Sequence, residues 1–354
     1  MAQAAPLDID VNDAAAVQDA LLAWYDQHAR RLPWRTPPGS NARPDPYRVW
    51  LSEVMLQQTT AAAVAPRYER FLARFPTLQA LAEAPLEALL QEWAGLGYYA
   101  RARNLHAAAQ AMAREGVPPD EAGWRALPGV GAYTAAAVAA IAFGEATSPV
   151  DGNVERVVAR LVAIATPPPT GKAAIRGAAA KLAHPVRPGD WAQALMDLGA
   201  TICTPRRPAC ALCPLRPFCA AAGAGEPERY PVRAPKSEKP LRFGRAYWLE
   251  RSGAVWLVRR APKGLLGGMP ALPSSGWGGS QPAAGEGAPA AVAWRSVGAV
   301  EHVFTHFRLQ LEVVAGAGAL GPGEGWWAPI SGIEEAGLPT VFLKAARLAR
   351  AGAT

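Results

Sequence analysis

The sequence has no apolar run long enough to cross a lipid bilayer. Its longest candidate, residues 132–143, is short and mostly alanine, whereas a membrane-spanning helix needs about 18 or more apolar residues. Residues 1–13 carry Asp8, Asp10 and Asp13, where a secretory signal has a basic segment followed by an apolar one. We therefore expect a soluble, cytoplasmic protein.

Cysteine is scarce and confined to one place. All four cysteines lie in the pattern Cys203-x6-Cys210-x2-Cys213-x5-Cys219. Four thiolates with three unequal gaps favour a 4Fe–4S cluster held by one compact loop. A structural zinc site usually has two short Cys-x2–4-Cys pairs, and only Cys210 and Cys213 resemble one. Disulfides are the third alternative, with three possible pairings, but they require an oxidising compartment.

Lys and Arg outnumber Asp and Glu in this sequence, and the excess positive charge is unevenly distributed along it. The 354 residues have a net charge of +7. Residues 201–245 hold nine Lys and Arg against three Glu, which accounts for +6 of this charge. A concentrated positive field favours a polyanionic partner such as nucleic acid. The alternative is that this stretch is a basic linker, and that its charged side chains serve only to keep it soluble.

The chain is long enough for two domains, and its character changes near residue 226. Residues 14–225 alternate Ala-rich amphipathic stretches with short Pro/Gly breaks, which predicts successive helices. Beyond a Pro-rich charged segment, residues 245–259 predict two strands joined at Ser252-Gly253, and residues 300–314 predict another strand pair. The predicted organisation is a helical domain (1–228), a basic linker (229–243) and a small α+β domain (244–354).

A glycine hairpin, Leu127-Pro-Gly129-Val-Gly131, precedes a helical stretch. Glycines at this place let backbone N–H groups face outward at a helix N-terminus, where they can bind a phosphate oxygen without reading a base. This pattern is typical of a helix-hairpin-helix DNA-binding element. An ordinary turn between two helices is the alternative.

Glu53 interrupts an apolar helix face. At helical spacing it shares one stripe with Val49, Trp50 and Gln57. A carboxyl group buried there would have a raised pKa and could act as a general acid. A buried Glu that is satisfied by hydrogen bonds, or a break at a helix–helix contact, is the alternative.

Two aspartates precede predicted helices. Asp45 stands before Pro46 at the start of the helix that carries Glu53, and Asp151 stands ahead of an amphipathic helix. Both are placed to act as N-caps. The cap position also favours an ionised carboxylate. One protonated and one charged carboxyl group together can expel a leaving group while stabilising an oxocarbenium-like sugar.

In combination, these segments resemble the adenine DNA glycosylase (MutY) family of helix-hairpin-helix glycosylases. The resemblance is close over residues 20–225 and looser beyond. It is carried by Glu53-Val-Met-Leu-Gln-Gln-Thr59, Gly95-Leu-Gly-Tyr-Tyr-Ala-Arg101, Leu127-Pro-Gly-Val-Gly131, Val150-Asp-Gly-Asn153 and the four-cysteine loop.

The resemblance implies an all-α helix-hairpin-helix glycosylase domain with a 4Fe–4S cluster loop, followed by a small α+β Nudix-like domain. It also implies a DNA repair enzyme that removes adenine mispaired with 8-oxoguanine or guanine in double-stranded DNA. We expect a monomer that is associated with DNA in the cytoplasm.

The resemblance assigns catalytic roles to four residues. Glu53 would protonate the adenine ring, Asp151 would stabilise the cationic sugar, and Tyr133 and Asn153 would orient these groups. Bifunctional relatives resembling endonuclease III carry a lysine nucleophile where this chain has Tyr133. Tyrosine cannot form an imine, so water should complete the reaction and leave an abasic site.

Further positions correspond to DNA contacts in the family. Gln58 and Tyr98 would probe the base stack beside the flipped nucleotide. The residues alone favour a different interpretation, in which Trp34 is a core residue and Tyr98 a helix-packing aromatic. The remaining adenine-pocket and DNA-binding positions are Leu32, Trp34, Arg35, Gln57, Thr59, Leu127, Gly129, Gly131 and Gln193.

The C-terminal domain lacks the acidic box of Nudix pyrophosphatases, so metal-dependent pyrophosphatase activity is not expected. Phe304-Thr305-His306 matches the family's Phe-Ser-His loop that contacts 8-oxoguanine, and Thr305 keeps the hydroxyl group. Residues 264–273 depart from the family, because relatives usually carry a tryptophan where Leu266 stands and an aromatic residue near Ala271.

Two rival functions remain open at this point. One is a glycosylase of another mismatch specificity, such as thymine opposite guanine. The other is a noncatalytic iron–sulfur protein that binds DNA or senses redox state. The presence of both Glu53 and Asp151 argues against the second, because neither is needed to bind phosphate.

Overall fold

The computed structural model describes residues 11–40, 42–93, 95–233, 238–261, 264–319 and 323–352. Contacts divide the chain into two compact units, Met1–Pro235 and Lys236–Thr354. The division falls within the predicted linker 229–243, of which residues 234–237 lie outside the described residues. The first unit is helical and the second combines a sheet with a helix, as predicted.

In its described part, the first unit consists of α-helices joined by turns and by longer loops, including residues 202–219, which carry the four cysteines. A single π-helical segment, Ala139–Phe143, extends α8. The helices are α1 (Val11–His28), α2 (Pro46–Leu56), α3 (Ala61–Arg74), α4 (Leu78–Glu83), α5 (Leu86–Glu92), α6 (Tyr99–Glu115), α7 (Glu121–Ala126), α8 (Ala132–Val138), α9 (Gly152–Leu161), α10 (Thr170–Lys181), α11 (Pro188–Thr201) and α12 (Ala220–Gly223). None of the described helices is long and apolar enough to span a membrane.

Local sequence fixes several helix starts. The Asp45 carboxylate accepts a hydrogen bond from the Tyr47 N–H at 2.9 Å, and Pro46 occupies the first turn, as predicted. The Thr60 and Thr77 hydroxyls accept in the same way from the first turns of α3 and α4. Each side chain satisfies an N–H group that the helix itself leaves unpaired.

The helices of the first unit bury two hydrophobic cores. Trp50, Trp93 and Trp124 are fully buried in the first core, which is built from α2 to α8. Trp191 and Leu195 lie in the second, formed mainly by α1 and α9 to α12. The helix α8 and its π-helical extension contribute to both. The helix that carries Glu53 therefore belongs to one core, and the helix capped by Asp151 belongs to the other.

The second unit is a twisted sheet covered by a helix. Its strands are β1 (Leu241–Arg251), β2 (Ala254–Arg259), β3 (Pro270–Ala271), β4 (Arg295–Val303), β5 (Arg308–Ala317) and β6 (Trp326–Pro329), followed by α13 (Thr340–Ala351). The strand order is β3-β2-β1-β5-β4, and β6 also pairs with β2.

Both predicted strand pairs of the second unit are confirmed. The strands β1 and β2 are antiparallel and joined at Ser252 and Gly253, which both have positive φ (50° and 76°). Such angles suit the tight hairpin turn that matches strand twist. The strands β4 and β5 form the other antiparallel pair. The parallel pairing of β1 with β5 was not predicted.

Candidate active site

A cavity of about 870 Å³ opens in the first unit between its two cores. Its walls come from residues 30–35 before α2, α2 and the turn that follows it, the glycine hairpin, α8, the start of α9, and α11. Of the predicted site residues, the following line it: Leu32, Trp34, Arg35, Glu53, Gln57, Gln58, Thr59, Gly129, Gly131, Tyr133, Asp151, Asn153 and Gln193.

Glu53 is buried, and its carboxylate oxygen Oε2 accepts a hydrogen bond of 2.8 Å from the Tyr133 hydroxyl. Burial raises the pKa of Glu53 to about 7, although the Tyr133 hydrogen bond and the charge of Arg35 oppose this shift. A carboxyl group with such a pKa carries a transferable proton near neutral pH. Burial also raises the pKa of Tyr133 well above its usual value, so this hydroxyl keeps its proton.

Asp151 caps α9, as predicted, and its carboxylate also lines the cavity. Its Oδ1 accepts hydrogen bonds from the backbone N–H groups of Asn153 and Val154 at 2.8 and 2.7 Å. Its Oδ2 accepts from the Asn153 side-chain amide at 3.0 Å. These donors and the positive end of the helix dipole stabilise a carboxylate anion. The cavity thus combines a protonatable acid with an anion held by the fold.

Asp197 on α11 anchors the segment that contains Leu32 and Trp34. Asp197 is fully buried, and it pairs with Arg30 Nε at 2.5 Å and with Arg35 Nη1 at 2.6 Å. Trp34 packs against the first core, with its ring 5.4 Å from the Tyr68 ring, and also lines the cavity. Trp34 is therefore both a residue packed against the core and a lining residue of the cavity.

The glycine hairpin has the geometry that its sequence predicts. Gly129 has φ 74°, and an added Cβ would lie 2.5 Å from Asn104 Cβ, so only glycine fits. Gly131 is the N-cap of α8 and no side chain caps this helix start. The first N–H groups of α8 are therefore left to other acceptors, as phosphate binding requires.

In the first unit, two predicted DNA-binding residues lie outside the cavity lining. Leu127 packs against the first core. Tyr98 is 61% exposed, so it is not a helix-packing aromatic. Within the cavity, the Gln57 amide donates to Thr134 Oγ1 at 3.2 Å, and the Gln193 amide donates to the Gly189 carbonyl at 3.1 Å.

The four cysteines are free thiols that line one small cavity together with Arg160. Burial raises the pKa of Cys213 to about 11 and also raises that of Cys219. Arg160 is buried, and its Nη1 lies 3.3 Å from Cys203 Sγ. Among the described residues, no group of three or more His, Cys, Asp or Glu side chains is arranged to hold a metal ion. The donor set nevertheless fits a 4Fe–4S cluster, which is usually bound by four cysteine thiolates.

Arg156 connects this loop with the start of α9. Its Nη2 donates to Asn153 Oδ1 at 2.9 Å and to the Gly199 carbonyl at 2.8 Å, and its Nε donates to the Cys203 carbonyl at 2.7 Å. The loop and the Asp151 cap are thereby held in one hydrogen-bonded network.

In the second unit, Phe304-Thr305-His306 forms the turn between β4 and β5. Thr305 and His306 are exposed, whereas Phe304 is half-buried and its ring lies 5.6 Å from Trp277. Lys239 Nζ donates to the Phe304 carbonyl at 2.8 Å. The turn therefore exposes the polar side chains of Thr305 and His306, next to the packed aromatic ring of Phe304.

The chain matches two protein families and a set of named relatives. The HhH-GPD superfamily of base excision DNA repair proteins matches residues 51–180, and the NUDIX domain matches residues 245–348. Adenine DNA glycosylase from Homo sapiens is 37% identical, over 86% of this chain and 67% of that protein. The Mus musculus enzyme is 36% identical, over 90% and 75%. The chain belongs to the adenine DNA glycosylase family.

Membership of the adenine DNA glycosylase family makes this protein a base excision repair enzyme that acts on N-glycosyl bonds, so the noncatalytic alternative is wrong. Among solved structures, a thermostable thymine-DNA glycosylase is similar at 27% identity and a TM-score of 0.53, covering 61% of this chain and all of that one. An endonuclease III–DNA complex, at 24% identity and a TM-score of 0.50 over 60% of this chain and 97% of that one, shows the same fold.

Several functional residues of this adenine DNA glycosylase escaped the sequence analysis. Arg30 forms an ion pair with the buried Asp197 beside the pocket, and Arg156 and Arg160 hold the cysteine loop. Asp197 and Arg160 are charged residues flanked by apolar ones on α11 and α9, which signalled buried charges without revealing their partners. Arg30 and Arg156 lie in polar or mixed segments, where the sequence offers no such contrast.

Residues 264–273, which depart from the family pattern, pack Leu266 and Ala271 into the second unit. Leu266 has φ 57° and packs against the core of the second unit, and Ala271 is fully buried in β3. A larger aromatic residue at Ala271 would not fit this core without rearrangement.

Proposed function

We propose that this enzyme is a monofunctional glycosylase that hydrolyses the N-glycosidic bond of adenine paired with 8-oxoguanine or guanine and leaves an abasic site. The observation that carries the proposal is the cavity itself, because it joins Glu53, with a pKa of about 7, to the capped carboxylate of Asp151. Double-stranded DNA is the substrate, and we propose that the enzyme acts as a monomer in the cytoplasm.

The two carboxyl groups divide the reaction between them. Glu53 donates its proton to a ring nitrogen of adenine, which makes the base a neutral leaving group. As the glycosidic bond breaks, positive charge develops on the sugar, and the Asp151 carboxylate stabilises it. Tyr133 holds Glu53 through its 2.8 Å hydrogen bond, and Asn153 does the same for Asp151.

Water completes the proposed reaction. An amine nucleophile would form an imine with the sugar and lead to strand cleavage. Among the described residues that line the cavity there is no lysine, and Tyr133 occupies the position at which bifunctional relatives carry one. The product strand should therefore keep its phosphodiester backbone.

The test is a single-turnover assay, with enzyme in excess, on duplexes that contain 8-oxoguanine:adenine, guanine:adenine or guanine:thymine. Adenine should be released from the first two, and the strand should stay intact until alkali is added. Release of thymine alone would support the rival specificity instead. A covalent complex trapped by borohydride in good yield would contradict the water mechanism.

We also infer that Cys203, Cys210, Cys213 and Cys219 hold a 4Fe–4S cluster. A cubane cluster is bound at its corners, so its ligands surround a volume and need not meet at one atom. Four thiols around one small cavity agree with this arrangement. When bound, the cluster would supply a rigid anchor for the loop. Iron and labile sulfide in the purified protein would support it, whereas one zinc ion without iron would overturn it.

The second unit is proposed to read the opposite strand. The 8-oxoguanine base differs from guanine by an oxygen at C8 and a hydrogen at N7, and both groups can form hydrogen bonds. The exposed hydroxyl of Thr305 and imidazole of His306 offer matching partners at the tip of their turn.

A further inference from the structure

Arg101, in the first turn of α6, binds five backbone carbonyl oxygens from two separate segments. Its Nη1 donates to the carbonyls of Val54, Met55 and Gln57 at 2.9, 3.1 and 2.6 Å, at the end of α2. Its Nη2 donates to the carbonyls of Leu96 and Gly97 at 2.8 and 3.3 Å. No step of the proposed reaction uses this side chain.

The guanidinium group is held by these dipoles and not by an acid. Burial lowers the pKa of Arg101, and its buried Nε has no hydrogen-bond partner among the residues that the structure describes. In the part of the chain that the structure describes, Arg101 forms no ion pair with a carboxylate. The last carbonyls of a helix have no partner within the helix and carry partial negative charge. Arg101 therefore caps the C-terminus of the helix that carries Glu53.

Each of the two segments contains a strained residue beside the bound carbonyl. Gln58 has φ 56° and follows the bound Gln57, and Tyr98 has φ 48° and follows the bound Gly97. Residues other than glycine adopt this left-handed conformation only where the surrounding structure holds them in it. By fixing the preceding peptide groups, the guanidinium group holds both residues in that conformation.

The guanidinium group also stacks between an anchored ring and an exposed one. Its carbon lies 5.4 Å from the centre of the Trp93 ring and 5.5 Å from that of Tyr98. Trp93 is fully buried, and its Nε1 donates to the Gly97 carbonyl at 3.1 Å. Cation–π attraction therefore ties the exposed Tyr98 ring to the core through Arg101.

We propose that Arg101 is a positioning residue that joins Gln58 and Tyr98 into one rigid wedge, which opens the base stack around the target adenine. The inference rests on the proposed function and on the family resemblance, which implies that both side chains lie beside the flipped nucleotide. A wedge that is already ordered loses less conformational freedom when it enters DNA. Arg101 acts through the two residues and does not touch the reacting atoms.

Only arginine suits this position. Its planar fork serves acceptors on two sides, whereas a lysine ammonium is a single point charge on a flexible stem. The test variants are therefore Arg101→Met, which removes all five contacts, and Arg101→Lys, which keeps the charge but cannot bridge both segments. Arg114→Met is the matched control, because Arg114 lies exposed in the last turn of the same helix.

The experiment compares single-turnover adenine release, with enzyme in excess, from two duplexes. In the first, only the 8-oxoguanine:adenine pair is abnormal. In the second, the flanking base pairs are also mismatched, so that extruding the adenine costs less. Because unstacking costs a few kcal/mol, Arg101→Met should release adenine about 10- to 100-fold more slowly from the first duplex. The loss should be much smaller on the second duplex.

Arg101→Lys should show the same dependence on the duplex, and Arg114→Met should match the wild type on both. If Arg101→Met does not fold, the lysine variant decides the comparison. Equal losses of adenine release on both duplexes, or no loss on either, would overturn the proposal that Arg101 orders the wedge. A purely structural defect would slow release from both duplexes to the same extent, because it does not depend on the stability of the flanking base pairs. Wild-type protein that released no adenine from either duplex would instead overturn the proposed function, and this inference with it.

Discussion

The side chain of Glu53 is only 6% exposed, and burial raises its pKa to about 7. Its pKa in the unfolded chain is near 4.5. The folded state therefore binds the proton more tightly, and stability declines as the pH rises from the unfolded pKa through the folded one. Over that window the loss amounts to about 3 kcal/mol.

Glu53→Gln should consequently stabilise the protein at about pH 8 more than at about pH 5, because the neutral amide escapes the cost of a buried charge. The same change should abolish most adenine release, since general acid catalysis contributes roughly 10²–10⁴-fold. Urea unfolding at both pH values measures the first effect. An equal stability change at the two pH values would contradict the pKa.

Tyr133 influences the pKa of Glu53, and therefore the pH range in which Glu53 can act as a general acid. Its hydroxyl donates to the Glu53 carboxylate and opposes the rise in the pKa of Glu53. Tyr133→Phe removes this bond, so the pKa of Glu53 should rise further. The pH at which single-turnover adenine release begins to fall should move upward.

Tyr99→Phe is the control for this change, because Tyr99 packs against the first core and forms none of the hydrogen bonds to Glu53. Its pH profile should coincide with that of the wild type. A downward shift for Tyr133→Phe would show that the hydroxyl stabilises the protonated carboxyl group instead.

At the scale of residues, sequence reasoning succeeded where the signal was local. Asp45 and Asp151 were predicted as caps because a cap bonds to amides two or three residues ahead. Arg101 and Asp197 could not be assigned, because their roles depend on partners that folding brings from distant parts of the chain.

Among the helices, α9 and α11 meet closely at the site. An added Cβ at Gly199 on α11 would lie 2.6 Å from Asn153 Cβ and 3.1 Å from its Cα and carbonyl oxygen. Gly199→Ala should therefore displace the start of α9 and the Asp151 cap, and slow adenine release by at least about tenfold, as a misplacement near 1 Å can do.

Gly177→Ala in α10 is the matched control, because nothing lies within 4 Å of its added Cβ. It should leave adenine release unchanged and stabilise the protein by up to about 1 kcal/mol, since alanine favours a helix interior. Wild-type activity in Gly199→Ala would mean that the two helices can separate without cost to the site.

The elements themselves were largely predictable. Helical periodicity and Pro/Gly breaks marked the first unit, and Ser252-Gly253 marked a hairpin, because each signal depends on neighbouring residues. The parallel pairing of β1 with β5 joins strands far apart in the chain. No local pattern encodes that register, so it was not predicted.

At the scale of the whole molecule, the proposal separates catalysis in the first unit from lesion choice in the second. Replacing Thr305 and His306 together by Ala should reduce the preference for 8-oxoguanine:adenine over guanine:adenine by roughly 5- to 150-fold. This range corresponds to the loss of one hydrogen bond, which costs about 1–3 kcal/mol. The ratio of single-turnover rates on the two duplexes measures this preference.

Ser280 and Gln281 provide the control pair, because both are exposed polar residues in a loop of the same unit. Their joint replacement by Ala should leave the ratio unchanged. If the ratio is also unchanged in the Thr305 and His306 variant, lesion reading belongs to the helical unit.

The double duty of Asp151 has a consequence for how variants of such an enzyme are classified. Asparagine caps helices about as well as aspartate, so Asp151→Asn should fold, resist heat and bind DNA like the wild type. It would nevertheless lose the anion that stabilises the sugar cation, and release adenine at least about 100-fold more slowly, as when one charge-stabilising group is removed from an active site. A screen that scores abundance or thermal stability would pass it as harmless, and only a repair assay would expose the defect.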